Sequence, residues 1–199
     1  DLAAIGSPYF FVNGVSVGMF RSYGFNTITW RVESLAEGEM VNDQIGKRLK
    51  LSGDGSILVA ANDEQSTANG FNSGMVWAWQ RPRGASLDVD WEPFASPLVG
   101  LSSLDRFGSR IDLSENGHVL AVTAPGYATG VVFVYEFDSS TSSWRPLGRP
   151  IISPGSSAPG VCLSEDGSVV VIATRSNIQV YQYQVLPISG GSPIGITEG

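Results

Sequence analysis

The sequence of 199 residues contains one cysteine and one histidine. A single cysteine excludes an internal disulfide framework and any metal site built from several cysteines. We interpret this residue, Cys162, as a small buried hydrophobic side chain, because it lies between Val161 and Leu163 with no basic neighbour. The histidine, His118, occupies a turn position, and a serine–histidine–acid triad would have to be built around it. We therefore predict that His118 is an exposed turn side chain.

Charged residues are also scarce, at 16% of the chain, and the 12 basic residues are outnumbered by 19 acidic ones. No cluster of Lys and Arg is present, so neither a nucleic-acid partner nor an anionic membrane surface is expected. No run of about 18 apolar residues occurs, so insertion into a membrane is not expected. The 24 Gly and 11 Pro argue against a helical bundle.

One short segment occurs three times, beginning at Leu51, Leu113 and Leu163. Each copy reads Leu-Ser-x-Asp/Asn-Gly and continues into an apolar run, a loop and a second β-prone run. A partial copy begins the chain without this first strand, and the segment 193–197 resembles the missing strand. Such periodicity is typical of repeat architectures. We predict repeats at approximately 1–46, 47–108, 109–160 and 161–199, with the last strand completing the first repeat.

Each full repeat contains four short β-prone segments. The Asp-Gly and Asn-Gly pairs predict tight type I′ hairpins. The run 131–137 is largely apolar on both faces, which indicates a sheet covered on both sides. These features favour an all-β chain, a β-propeller built from about four four-stranded antiparallel blades. The open alternatives are a β-sandwich and, within the propeller class, a closed four-bladed ring or a segment of a larger propeller.

Two residue pairs at the repeat boundaries carry a family resemblance. Phe107-Gly108 and Ala124-Pro125 match the Phe-Gly and Ala-Pro pairs of FG-GAP repeats, with Ile45-Gly46 and Gly6-Ser7-Pro8 as looser versions. The chain resembles this family, the propeller repeats of integrin α-subunit heads and many secreted proteins. The resemblance implies an extracellular or luminal location, in the secretory pathway or an organelle.

Calcium is the one cofactor that the resemblance suggests, since many members of the family bind it in the first hairpin. The nearest match spans 112–117, in which Asp112 and Asn116 are weak candidate ligands. The closing ligand position is the apolar Leu120, and Lys50 and Cys162 stand where the other repeats would need a first ligand. We therefore expect no resident cofactor, and hydroxyls and carboxylates that brace the turn instead.

The variable loops 10–17, 62–73, 80–90 and 153–159 are the predicted recognition surfaces, because loops can change without disturbing the packing. Candidate polar residues there are Asn62, Asp63 and Glu64 in one loop, and Asp88 and Asp90 in another. Paired carboxylates are what glycosidase chemistry requires. Trp91 beside the second group aligns with Trp144 and Trp30, so we interpret it as a packing residue.

The main functional expectation is a non-catalytic extracellular or luminal module with a structural, adhesive or binding role. Its partners would be a protein, a glycan, or further copies or repeats of the same chain. The alternative is a carbohydrate-active enzyme that uses paired carboxylates on blade-end loops. A third hypothesis is a small ligand bound in a central channel.

Overall fold

The computed structural model describes residues 2–25, 29–38, 43–82, 90–128, 130–153, 159–175, 177–184 and 195–198. These residues form eighteen β-strands and no helix. In chain order the strands are β1 (Leu2–Ser7), β2 (Phe11–Val12), β3 (Val15–Ser16), β4 (Met19–Phe25), β5 (Trp30–Glu37), β6 (Arg48–Leu51), β7 (Ile57–Asn62), β8 (Met75–Gln80), β9 (Glu92–Val99), β10 (Ile111–Leu113), β11 (Val119–Ala124), β12 (Val131–Asp138), β13 (Ser143–Pro146), β14 (Ile151–Ile152), β15 (Gly160–Leu163), β16 (Val169–Ala173), β17 (Ile178–Gln184) and β18 (Gly195–Glu198). Within the described ranges there is no helix of the length and apolarity needed to cross a membrane.

The strands form four antiparallel sheets and the separate β2–β3 hairpin. The first sheet has the order β1-β4-β5, the second β6-β7-β8-β9, the third β10-β11-β12-β13 with β14 also on β12, and the fourth β15-β16-β17-β18. The prediction of an all-β chain is confirmed. The prediction that 193–197 completes the first sheet was wrong, because β18 pairs with β17 and places Ile196 opposite Tyr183.

The turn between the first two strands of each complete sheet is held by its own side chains. In the third sheet, Ser114 Oγ accepts a hydrogen bond from Val119 N at 2.9 Å and donates one to Asn116 Oδ1 at 2.8 Å. The same Asn116 oxygen accepts a hydrogen bond from His118 N at 2.9 Å. Asn and Ser side chains stabilise turns by satisfying local backbone amides in this way.

The other two turns repeat these hydrogen bonds around the Ser52–Asp54 and Ser164–Asp166 pairs. The predicted equivalence of the three copies is therefore confirmed. The predicted type I′ geometry was wrong, since a type I′ turn requires positive φ at both central residues and in these turns it occurs only at the glycine. Adjacent turns are also joined by the main chain, with Gly53 N donating to Glu115 O at 2.7 Å and Glu115 N donating to Glu165 O at 2.8 Å.

The four sheets stack face to face, with one apolar cluster between each neighbouring pair. Strand β7 shows how this arises from alternation along a strand. Leu58 and Ala60 face the first sheet, whereas Ile57 and Val59 face the third. The prediction of sheets covered on both sides is confirmed for the second and third sheets.

Two tryptophans fill the spaces between sheets, as predicted. Trp91 is buried, donates a hydrogen bond from Nε1 to Ser22 Oγ at 3.2 Å, and packs edge-on against Phe20. Trp144 is buried and packs edge-on against Phe94 and Phe137. The side chain of Trp30 lies outside the described residues.

Cys162 is exposed, so the prediction of a buried cysteine was wrong. Its neighbours Val161 and Leu163 face the third sheet, and alternation turns Cys162 to the opposite, outer face of the fourth sheet.

Candidate active site

The second sheet has two ends of different character. The end that carries the connection 63–74 between β7 and β8 is called the loop end here, and the end that carries the braced turns is called the turn end. Because the strands are antiparallel, β6 begins at the loop end, where Arg48 lies opposite Ala61. The start of the third repeat reaches the same place, because Gly74 forms a parallel bridge with Phe107.

Four charged side chains from these three segments meet at the loop end, namely Lys47, Asp63, Glu64 and Arg106, and we call them the ionic quartet. Lys47 Nζ lies 2.8 Å from Asp63 Oδ1 and 2.9 Å from Glu64 Oε2. Arg106 Nη2 lies 3.0 Å from Glu64 Oε1, and its Nε lies 3.8 Å from Asp63 Oδ2. Each carboxylate therefore contacts both cations, and each cation contacts both carboxylates.

The quartet has a buried half and an exposed half. The side chains of Asp63 and Lys47 are 9% and 15% exposed, whereas those of Glu64 and Arg106 are 42% and 46% exposed. Partly buried opposite charges interact more strongly than a fully solvated pair does. The arrangement holds Glu64 and Arg106 side by side at the surface on a charged foundation.

A buried polar network lies beneath the quartet and shapes the loop that carries it. Asn62 Nδ2 donates a hydrogen bond to Asp43 O at 3.0 Å, and Gln65 Nε2 donates one to Asp43 Oδ1 at 3.0 Å. Asn62 Oδ1 accepts a hydrogen bond from Glu64 N at 3.0 Å. All three residues of this network are buried. Because buried polar groups need such partners, the network determines where Asp63 and Glu64 emerge.

An exposed apolar rim adjoins the quartet. Phe71 is exposed, as are Leu101 and Leu104 on the segment before β10. Leu104 N donates a hydrogen bond to Phe71 O at 2.8 Å, and Arg106 N donates one to Asn72 O at 3.1 Å. Charged and apolar groups thus stand together on one pair of hydrogen-bonded loops.

The structure separates the two predicted groups of carboxylates. Asn62, Asp63 and Glu64 lie at the loop end, whereas Asp90 lies beyond β8, at the turn end of the second sheet. Asp90 is exposed. Asp88 lies outside the described residues, as does most of the loop that contains it. Asp63 and Glu64 are therefore the sequence-predicted carboxylates that the structure brings together with further charged groups.

The predicted calcium ligands do not converge. Asp112 Oδ1 is 2.8 Å from Lys50 Nζ, and its Oδ2 accepts a hydrogen bond from Leu163 N at 2.6 Å. Asn116 braces its own turn. Among the residues that the structure describes, no group of three or more His, Cys, Asp and Glu side chains is placed to hold a metal ion. Asp112 and Asn116 have structural partners in place of a cation.

The predicted exposure of His118 is confirmed, since its ring lies at the surface with Phe94 on one side. Near it, Asp54, Glu115, Asn116, Glu165 and Asp166 line an open depression at the turn end. Hydrogen bonds from Ser164 and Ser168 lower the pKa of Asp166 to about 2. The Asp and Asn oxygens of this depression serve the turns themselves.

Two members of the quartet, Lys47 and Arg106, were missed in the sequence. Each adjoins a repeat-boundary pair, with Lys47 after Ile45-Gly46 and Arg106 before Phe107-Gly108. Because these boundary pairs come directly before the first strand of a sheet, they reach the loop end. That position was the available signal for both cations.

Comparisons with known proteins give likeness at the level of structure. No family model and no curated protein sequence matches the chain. A candidate 6-phosphogluconolactonase from Bacteroides uniformis matches with a TM-score of 0.57 and 16% identity, over 87% of this chain and 46% of that one. The periplasmic gluconolactonase PpgL of Pseudomonas aeruginosa matches with a TM-score of 0.54 and 20% identity, over 93% of this chain and 50% of that one. Kluyveromyces lactis Hsv2 matches with a TM-score of 0.61 and 12% identity, over 100% of this chain and 57% of that one.

These comparisons define the fold class and correct one expectation. The lactonases are β-propeller-like, and the stacked antiparallel sheets described above have the same character. The chain spans about half the length of the structures that it matches. The expectation of a non-catalytic structural or adhesive module was wrong, because the similar structures include three named for lactonase activity, which agrees better with the alternative of a carbohydrate-active enzyme. The resemblance to FG-GAP repeats has no family match behind it and stays a prediction.

Proposed function

We propose that this chain is part of a β-propeller enzyme of lactonase type, with its four sheets as blades and the ionic quartet as its active site. The observation that carries the proposal is the pairing of an exposed carboxylate, Glu64, with an exposed guanidinium, Arg106, above the buried Asp63–Lys47 pair. The likeness to structures named as lactonases supports the choice of reaction. The substrate class would be the cyclic ester of a sugar acid.

Hydrolysis of a lactone requires a base for water and a positive group for the carbonyl oxygen. In the proposed reaction Glu64 takes a proton from a water molecule as the water oxygen bonds to the carbonyl carbon. Arg106 stabilises the resulting oxyanion. The bond between that carbon and the ring oxygen then breaks, and the ring oxygen receives the proton from Glu64. The product is the open-chain hydroxy acid.

Asp63 and Lys47 have a positioning role in this scheme. Lys47 Nζ contacts Glu64 Oε2, so the buried ammonium orients the base from below. Asp63 balances the charge of Lys47 and contacts the Arg106 Nε from the buried side. The reaction calls for no resident cofactor, and the absence of one, calcium included, stays a prediction.

The likeness to a periplasmic enzyme is consistent with a location outside the cytoplasm. An extracellular or luminal location is part of the proposal. So is binding of a protein or glycan partner at the loop end, where the apolar rim of Phe71, Leu101 and Leu104 stands beside the quartet.

The test is hydrolysis of D-glucono-1,5-lactone and of its 6-phosphate, followed by acid release in a pH-stat and corrected for spontaneous hydrolysis. E64Q should lower kcat by about 100-fold or more, as loss of a general base does. D63N should act through Lys47 and Arg106, and we expect it to change the pH profile as well as the rate. E136Q is the matched control, because Glu136 forms an exposed ion pair with Arg145 on the third sheet.

The proposal is wrong if the chain hydrolyses neither lactone above the spontaneous rate. It is also wrong if E64Q and E136Q retain equal activity, since the quartet would then have no part in the reaction. Circular dichroism of each variant shows whether the sheets remain folded.

A further inference from the structure

The first and fourth sheets each have an apolar face that no described residue covers. On the outer face of the fourth sheet, Ile178 is 69% exposed, and Val180 and Cys162 are also exposed. On the outer face of the first sheet, Ile5 is 59% exposed, and Phe25 and Val32 are also exposed. Contiguous exposed apolar surface on this scale marks an interaction site in soluble proteins.

The outer face of the fourth sheet repeats a face that is buried in the second sheet. Alignment of the repeats places Ile178 and Val180 where Val76 and Ala78 stand. Val76 and Ala78 are 2% and 4% exposed, because they pack against the third sheet. The fourth sheet therefore presents the surface that, elsewhere in the molecule, receives a following sheet.

The outer face of the first sheet repeats the surface that meets a preceding sheet. Ile5, Tyr23 and Phe25 align with Val122, Tyr135 and Phe137 of the third sheet, which pack against the second. Arg21 stands where the third sheet has Phe133, and its aliphatic stem can lie over apolar neighbours while the guanidinium reaches solvent. The two outer faces are thus the two halves of one repeated interface.

From this complementarity we propose that two copies of the chain stack head to tail. The fourth sheet of each copy packs on the first sheet of the other, and the dimer closes a ring of eight sheets. The two faces do not cover each other within one copy, since both are exposed. The chain spans about half of the propeller-like structures that it matches, so two copies supply a comparable length of chain. A two-fold axis closes both interfaces at once and leaves neither face open.

This inference is independent of the proposed lactonase chemistry, because it rests on the outer sheets and not on the ionic quartet. Its test is the molar mass of the 199-residue chain by light scattering after size exclusion. We expect about twice the chain mass of 21.1 kDa. Both I5E and I178E should give monomers, since each places a carboxylate in an apolar interface. L101E is the matched control, because Leu101 is as exposed as Ile5 but lies on the loop end, and this variant should remain dimeric.

The single cysteine provides a readout that a local folding defect would not imitate. Cys162 lies on the fourth sheet, whereas Ile5 lies on the first. If the faces meet between copies, I5E should speed reaction of Cys162 with Ellman's reagent by about 10-fold or more, because the covering sheet is lost. In L101E the rate should equal that of the unmodified chain.

A monomeric unmodified chain would overturn the proposal. Assemblies larger than a dimer would overturn the closed ring. Equal reactivity of Cys162 in the unmodified chain and in I5E would show that nothing covers the fourth sheet. Retention of β-sheet circular dichroism in both Glu variants shows that the mass change reflects dissociation.

Discussion

Lys50 and Asp112 occupy equivalent positions in the second and third repeats, and Lys50 Nζ lies 2.8 Å from Asp112 Oδ1. The other carboxylate oxygen of Asp112 accepts the hydrogen bond of Leu163 N in the fourth sheet. One side chain thereby connects the first strands of three successive sheets, β6, β10 and β15.

This geometry predicts unequal effects for the two partners. D112A leaves the Leu163 amide and Lys50 without the carboxylate, and it should lower the free energy of unfolding by about 1 to 3 kcal/mol. K50A removes only a half-exposed cation, and it should cost at most about 1 kcal/mol. Urea unfolding of both variants measures the difference. D112N, which keeps an oxygen acceptor for Leu163 N, should lie between them, and equal losses for D112A and K50A would contradict the role of Leu163 N.

Asp166 predicts a specific acid dependence of stability. Ser164 Oγ, Ser168 N and Ser168 Oγ all donate hydrogen bonds to its Oδ1, at 2.6, 3.0 and 2.9 Å. They lower its pKa from 3.8 to about 2 in the folded chain. Because the folded pKa lies below the unfolded one, the ionised group stabilises the fold above pH 4 or so. That contribution is lost as the pH falls through about 2.

D166N cannot ionise, so it should lack this dependence. The stability difference between the unmodified chain and D166N should be constant above about pH 5 and should shrink between about pH 4 and 2. Urea titrations at several pH values measure it. E165Q, which removes one exposed charge from the same turn, controls for net charge. A difference that stays constant down to pH 2 would show that the serine hydrogen bonds do not affect the ionisation of Asp166.

Two glycines with similar backbone angles predict different costs of a methyl group. Gly74 and Gly14 have φ values of 88° and 81°. A Cβ on Gly74 would collide with the carbonyl oxygen of Phe107, whereas a Cβ on Gly14 would meet open space. G14A should therefore cost about 1 to 2 kcal/mol for the left-handed conformation alone. G74A should cost about 3 kcal/mol or more, because the parallel bridge to Phe107 must separate. Thermal and urea unfolding measure both, and equal losses would show that the close approach at Gly74 is relieved without cost.

The repeats and the stacking could be predicted because their signals are local in sequence. The Leu-Ser-x-Asp/Asn-Gly segment carries its own turn, and the run beginning at Val131 carries both of its apolar faces. The turn type was mispredicted because Ser114 Oγ satisfies Val119 N, which allows a longer loop than the Asn-Gly pair alone suggests. Cys162 was mispredicted because an apolar neighbourhood does not tell which face of an end sheet remains open.

The candidate site could be predicted only in part. The adjacent carboxylates Asp63 and Glu64 are visible in the sequence, but their cations are distant in it. Arg106 lies more than 40 residues away and meets Glu64 only because the second and third sheets stack. Asp90 appeared equivalent to Asp63 as a loop carboxylate, and strand direction placed it at the other end of the sheet.

The main-chain hydrogen bonds from Gly53 to Glu115 and from Glu115 to Glu165 have an evolutionary consequence. Peptide groups are common to every residue but proline, so this link between neighbouring turns survives almost any change of side chain. Duplicated units can therefore diverge at these positions while keeping their mutual alignment, and a new unit can join the series without first acquiring a matching side chain.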